Sequence, residues 1–271
     1  MKKIIFRILL VLFFLYIALC AFFYFFQERV IFFPTKLDKN YVYQFKGEFE
    51  EINIPVGNNL SLNTLLFKTN SDTVKGCILY LHGNAGTLKM WGSLAPYFIN
   101  QGYDIMFLDY RGFGKSEGSI KGEDQLFRDN QIVYDTLKHR YAEQNIVVVG
   151  FSIGTGMATK LAADNNPRIL VLKAPYYELT GVVQEFCPVI PDFLVRYKLE
   201  TYKYVQQCKM PIYVFHGTDD WTINYKNSVK LQKHLKDTDQ LITLHDEGHN
   251  GIPDNEQYQT EMAKILNWHS Y

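Results

Sequence analysis

Six short runs of almost wholly apolar residues recur through the chain, at positions 77–81, 105–108, 146–149, 169–172, 212–215 and 241–244. Helix-length segments separate them. A strand with one solvated face alternates polar and apolar residues, whereas a strand that is apolar throughout has both faces covered. The pattern therefore predicts a parallel sheet with helices on both sides. Before these runs, 51–56 and 60–67 read as two strands around the Gly57-Asn58-Asn59 turn, an antiparallel hairpin. The expected fold class is α/β: a mostly parallel doubly wound sheet entered through an N-terminal hairpin. In such sheets functional groups collect at the carboxyl ends of the strands, so the residues that follow each run carry the information.

After 146–149 comes Gly150-Phe151-Ser152-Ile153-Gly154, a G-x-S-x-G sequence at a strand-to-helix junction. A serine in such a turn is strained and exposed, and side chains two residues either way would collide. The plain alternative is a tight glycine turn with an incidental serine, but the strand before it and the helix expected over 153–164 are what a nucleophile needs. After 77–81 comes His82-Gly83-Asn84-Ala85-Gly86, whose backbone N–H groups can face a developing oxyanion. His82 reads as a residue that holds this loop. After 105–108, Asp109-Tyr110-Arg111-Gly112-Phe113-Gly114-Lys115-Ser116 reads as a buried polar corner in which Asp109 and Arg111 interact. After 212–215, His216-Gly217-Thr218-Asp219-Asp220 offers two adjacent carboxylates that could orient a histidine; residue chemistry alone does not separate them, and His216 reads as structural. After 241–244, His245-Asp246-Glu247-Gly248-His249-Asn250 offers His249, with Gly248 freeing the loop to turn it toward the serine. His139, His234 and His269 sit in polar, helix-like surroundings and read as solvated. The candidates thus run Ser, Asp, His along the chain, one of three unrelated orders for a catalytic triad.

At the other end of the chain, residues 8–26 contain no charge, and roughly 19 residues would extend about 28 Å as a helix, near the hydrocarbon thickness of a bilayer. A cleaved signal peptide has a shorter apolar region and a small-residue cleavage site; this run ends in Phe22-Phe23-Tyr24-Phe25-Phe26, and Leu19 before Cys20 is too large for a lipobox. An uncleaved anchor over 1–27 and a catalytic domain over 28–271 are expected. Lys2, Lys3 and Arg7 precede the run, while Glu28 and Arg29 cancel after it, so the N-terminus is expected in the cytoplasm and the domain on the outer side. The 28 basic and 28 acidic residues balance with no basic tract, which gives no support to a nucleic-acid partner. The four cysteines lack zinc-site spacing, and Cys187 with Cys208 could pair only in an oxidising compartment.

Taken together, Leu81-His82-Gly83-Asn84-Ala85-Gly86, the run from Asp109 to Ser116, Gly150-Phe151-Ser152-Ile153-Gly154, His216-Gly217-Thr218-Asp219-Asp220 and Gly248-His249-Asn250 resemble the α/β-hydrolase superfamily. More narrowly they resemble its small-lid, single-anchor branch, labelled serine aminopeptidase-like and similar to the protein depalmitoylases. The anchor followed by Gln27-Glu28-Arg29-Val30-Ile31-Phe32-Phe33-Pro34 fits the same branch. The resemblance spans essentially the whole chain and implies an α/β-hydrolase fold with a small lid. It places the acid at Asp220 rather than Asp219, the base at His249, and the oxyanion donors at the backbone N–H groups of Asn84 and Ile153. Many members carry a Gly-Gly pair after the nucleophile; here Ile153-Gly154-Thr155 interrupts it.

The chemistry this implies is acyl transfer to water through Ser152, His249 and Asp220, with no metal or organic cofactor. The lid is expected over 176–210, where Phe186, Val189, Ile190, Phe193, Leu194 and Val195 lie among Pro188 and Pro191. Beside a membrane anchor, such a lid suits an acyl or lipid-like substrate, unless these residues merely pack on the core. A carboxylic ester, a thioester and a peptide (a serine aminopeptidase-like activity) are all open substrates. An acyltransferase and a non-catalytic membrane-anchored binding protein are the other readings, the last opposed by every catalytic position being filled.

Overall fold

The computed structural model describes residues 1–267. Eight strands form the main sheet: β1 (Phe49–Pro55), β2 (Ser61–Phe67), β3 (Cys77–Leu81), β4 (Asp104–Leu108), β5 (Ile146–Phe151), β6 (Ile169–Lys173), β7 (Ile212–Gly217) and β8 (Gln240–Leu244). Their spatial order is β1-β2-β4-β3-β5-β6-β7-β8. β2 runs antiparallel to β1 and to β4, and every other pairing is parallel. The hairpin turn fits its residues: Asn58 and Asn59 both take left-handed φ, 53° and 55°, which asparagine tolerates better than most side chains.

Strands β3 to β7 are buried along their whole length, as continuous apolar runs require. β8 departs from that expectation. It is the edge strand, with a single neighbour, and most of it is only half-buried. The helices are α1 (Lys2–Ile31), α2 (Leu88–Trp91), α3 (Ala95–Ile99), α4 (Glu123–Lys138), α5 (Gly154–Asp164), α6 (Leu179–Phe186), α7 (Thr201–Val205), α8 (Lys226–Gln232) and α9 (Glu256–Asn267). α4 and α5 cover one face of the sheet, and α3 and α9 the other. α4 shows why: its buried Leu126, Val133, Tyr134 and Leu137 recur at helical spacing on one side.

Helix α1 is a candidate membrane span by length and composition. It continues past the boundary expected at residue 27, to Ile31, with a break in helical geometry at Phe26 (φ −123°, ψ 17°). Its buried residues, Cys20, Phe23, Gln27 and Ile31, form one stripe. Cys20 and Phe23 pack on Ile190 and Val195. The Gln27 amide donates to the carbonyl of Leu194 (3.1 Å) and its oxygen accepts from the Arg196 N–H (2.8 Å). Glu28 pairs with Arg196 and accepts from the Tyr197 hydroxyl (2.8 Å).

The segment 176–210, expected as the lid, carries α6 and α7. Its apolar residues divide between both expected uses. Ile190 and Val195 pack inward, while Phe186, Val189 and Phe193 are exposed. Cys187 and Cys208 are both free thiols: Cys187 lies beside the Cys20 cluster and Cys208 beneath the carbonyls of Thr159 and Tyr204.

Two expectations are corrected here. Arg111 does not meet Asp109; its guanidinium forks onto Asp129 of α4 (2.6 and 2.8 Å), a bidentate geometry that the guanidinium plane favours. Asp109 instead faces His82 at 3.4 Å and accepts from the Leu88 N–H at 3.2 Å. His234 is half-buried rather than freely solvated: its ring packs on Tyr177 and Tyr202 and lies 3.0 Å from the Tyr177 hydroxyl. His139 and His245 are exposed, and His269 lies outside the described residues.

Candidate active site

Ser152 stands at the end of β5 with φ +52°, a left-handed conformation rare for a residue other than glycine and a mark of local strain. Its own N–H donates to the Lys173 carbonyl at the end of β6 (2.9 Å), and its carbonyl accepts from the N–H and hydroxyl of Thr155 (2.9 and 2.6 Å). The turn needs its two glycines. A Cβ on Gly150 would lie 2.7 Å from the Thr155 Cα, and one on Gly154 would lie 2.2 Å from the Leu81 carbonyl oxygen. The serine N–H is thus spent on the sheet and cannot serve an oxyanion.

The end of β7 delivers the acid. Asp220 is buried, and its Oδ2 lies 2.6 Å from His249 Nδ1. Its Oδ1 accepts from the N–H groups of Thr222 (2.8 Å) and Ile223 (2.7 Å). Asp219 is exposed and points elsewhere, toward the Thr218 hydroxyl. Burial pushes the Asp220 carboxyl up, but the hydrogen bonds from His216 and His249, the His249 charge and the Ile223 N–H outweigh it and hold the group well below the usual carboxylate range. His216 backs this carboxylate at 3.2 Å, itself fixed by the Ser228 hydroxyl (2.6 Å) and the Ile223 carbonyl (2.8 Å).

The His249 ring packs against Phe151, the residue before Ser152, with centroids 5.0 Å apart. At Gly248 the backbone is not left-handed and a Cβ would meet nothing closer than 4.0 Å, so the turn to His249 does not depend on glycine there. The loop is held by Glu247, which the sequence reading passed over. Its carboxylate accepts from the Gly248 N–H and the Asn255 amide, both at 2.9 Å. Gly217 and Gly251 make room for it: a Cβ on either would lie about 2 Å from a Glu247 oxygen (2.1 and 1.9 Å). Glu247 holds this role only because the fold brings Gly217, Gly251 and Asn255 against it, which its neighbours in sequence do not signal.

Ser152, Asn84 and Ile153 line one cavity of 520 Å³ together with Thr222, Ile223 and, from α6, Leu179 and Val182. Helix α1 closes another side. Asn84 is tied to that helix: its amide donates to the Ile31 carbonyl (3.1 Å) and its carbonyl accepts from the Phe33 N–H (2.8 Å). Phe33–Pro34 then pairs in parallel with Ala85–Gly86.

Residues 72–204 match the family described as Hydrolase_4, serine aminopeptidase S33. A putative alpha/beta hydrolase, L404, of Acanthamoeba polyphaga mimivirus is 30% identical over 184 residues, covering 65% of this chain and 68% of that protein. The chain belongs to the α/β-hydrolase superfamily. Among its other relatives in this superfamily, the lysophosphatidylserine lipase ABHD12 of Danio rerio is 28% identical over 57% of this chain and 46% of its own length. The fold agrees with solved α/β hydrolases: an esterase of Pyrococcus furiosus superposes with a TM-score of 0.69 at 18% identity, covering 86% of this chain and 95% of that one.

One feature of this α/β hydrolase was not read from sequence. Lys173, whose carbonyl holds the Ser152 N–H, buries its ammonium among the rings of Tyr80, Phe151 and Tyr258, with Nζ 4.9, 5.4 and 5.2 Å from their centroids. Burial pushes its pKa down to about 7. Asp109, under the Asn84 loop, is shifted the other way: burial raises its carboxyl against the opposing pull of His82.

Proposed function

We propose that this protein is a membrane-anchored serine hydrolase that cleaves a carboxylic ester or thioester. His249 takes the proton of Ser152, whose oxygen attacks the acyl carbonyl carbon. The tetrahedral oxyanion is met by the backbone N–H groups of Asn84 and Ile153. Protonated His249 then gives its proton to the leaving alcohol or thiol, and water, activated by the same histidine, releases the acyl group. Asp220 holds the imidazole with Nδ1 protonated, so that Nε2 faces the serine. The observation that carries this reading is the 2.6 Å Asp220–His249 bond, with the His249 ring packed on Phe151 next to a strained serine that lines an apolar cavity. The apolar wall favours an acyl group over a peptide N-terminus, whose ammonium would want a carboxylate partner. The lipase and esterase activities named for relatives support the same choice. The domain is proposed to lie on the outer side of the membrane, following the basic residues before α1.

The test is hydrolysis of p-nitrophenyl acyl esters by the detergent-solubilised protein, paired with fluorophosphonate labelling. Ser152→Ala should lose both. Asp220→Asn should lose about 10⁴ in kcat, by analogy with other triads, while Asp219→Asn should keep wild-type turnover. A folded wild type that neither labels nor turns over would return the protein to the binding-protein reading.

A further inference from the structure

The cavity at Ser152 is walled in part by helix α1: Leu19, Phe22, Phe23, Val30 and Ile31 face it, opposite the lid helix α6. Phe23 and Ile31 are buried against the domain, but Leu19 and Phe22 are 42% and 55% exposed. Those two side chains line the cavity without being buried against the domain, so part of their surface borders its open space. The helix is held there firmly. Gln27 hydrogen-bonds the lid backbone on both sides, Glu28 pairs with Arg196, and the Ile31 and Phe33 backbone groups bond to Asn84. The end of α1 is thus joined to the loop beside Ser152, and its middle lies farther up the same cavity. From Leu19 to Ile31 is about 18 Å along a helix, a span that suits a long acyl chain and far exceeds an acetyl or butanoyl group.

The outer end of this wall falls within residues 8–26, the stretch long and apolar enough to sit in lipid. Beside it the lid exposes Phe186 and Val189, which continue the apolar surface outward. A chain moving from a bilayer into the cavity would then pass from one apolar surroundings to another without crossing water.

We infer that α1 is one wall of the acyl-binding site, that Leu19 and Phe22 set the preference for chain length, and that the substrate is a long-chain acyl amphiphile entering from the leaflet next to the domain. This rests on the Ser152 reading above.

The full-length protein in lipid nanodiscs provides the test. The measured quantity is the ratio of kcat/KM for dodecanoyl over butanoyl p-nitrophenyl esters, in the wild type, Leu19→Trp, Phe22→Trp and Leu15→Trp. Leu15 lies on the same helix but outside the cavity wall. Filling an apolar pocket by a few methylene volumes should lower the ratio about tenfold or more in the first two variants, with the Leu15→Trp ratio unchanged. A second arm uses a long-chain alkyl fluorophosphonate with a terminal diazirine. Once attached to Ser152 and irradiated, it should crosslink within the peptide that contains Leu19 and Phe22. If labelling and butanoyl turnover persist while the ratio stays within about twofold of wild type and the crosslink falls only on the lid, the wall assignment is wrong and the Ser152 reading stands. If the wild type neither labels nor hydrolyses either ester, both fail together.

Discussion

At the scale of single residues, the candidate site was legible wherever chemistry and spacing coincide. Ser152 sits in a motif whose glycines have a steric reason to be there, and both close approaches are present in the fold. Asp219 and Asp220 are chemically alike, so residue identity could not choose between them; what separates them is that one is exposed and the other buried under His249. Lys173 was invisible for a different reason. A lysine ending an apolar run usually reaches water, and only the three rings around it reveal that it does not. Its burial has a pH signature. The unfolded chain keeps its lysine protonated up to about pH 10, whereas the folded state releases that proton near 7. Between those values the unfolded chain binds more protons, so stability rises with pH through that window, and below it the full penalty applies. Lys173→Met should therefore raise the melting temperature most at about pH 6 and progressively less toward about pH 10, on the order of a few kcal/mol at the acid end, offset in part by the lost cation–π contacts. Circular-dichroism melts at the two pH values check this, and an equal gain at both would refute it.

At the scale of elements, the strands were legible because continuous apolar runs have few other uses. The edge strand β8 shows where that inference thins: a run of four apolar or β-branched residues reads the same whether one neighbour or two cover it. The polar corner after β4 was misread because adjacency in sequence suggested an Asp109–Arg111 pair. The strand end sends the two side chains to different partners, and the true partner of Arg111 lies on α4. Both members of the Arg111–Asp129 pair are almost fully buried. Removing one should cost about 3–5 kcal/mol, because the other charge is left stranded, whereas replacing both with apolar residues should recover most of it. Urea unfolding of Arg111→Met, Asp129→Leu and the double variant measures this. Additive losses in the double variant would mean that the pair acts independently.

At the scale of the whole molecule, the sequence suggested two parts joined end to end: an apolar helix and a hydrolase domain. The structure joins them side by side as well, because the buried stripe of α1 runs from Cys20 to Ile31 and meets the lid. No sequence pattern announces this, since every face of residues 8–26 is apolar and the stripe has no polar boundary to mark it. Gln27 is the clearest joint. Gln27→Leu would leave the Leu194 carbonyl and the Arg196 N–H without their partner, a loss of about 1–3 kcal/mol. It should appear as faster proteolysis between Pro191 and Lys198, with fluorophosphonate labelling as a check that the domain remains folded; unchanged cleavage would show that the lid holds its place without the helix.

The Gln27–Leu194 bond joins residues 167 positions apart in the chain. During synthesis at about 5–20 residues per second, α1 would be finished roughly ten to thirty seconds before its partner leaves the ribosome. For that interval the helix waits in or beside the bilayer with the Gln27 amide turned only to the Tyr24 carbonyl one turn back (3.2 Å), its lid partners not yet made. The lid thus closes onto a helix that was made first, while the strands leading to Asp220 and His249 are still to come.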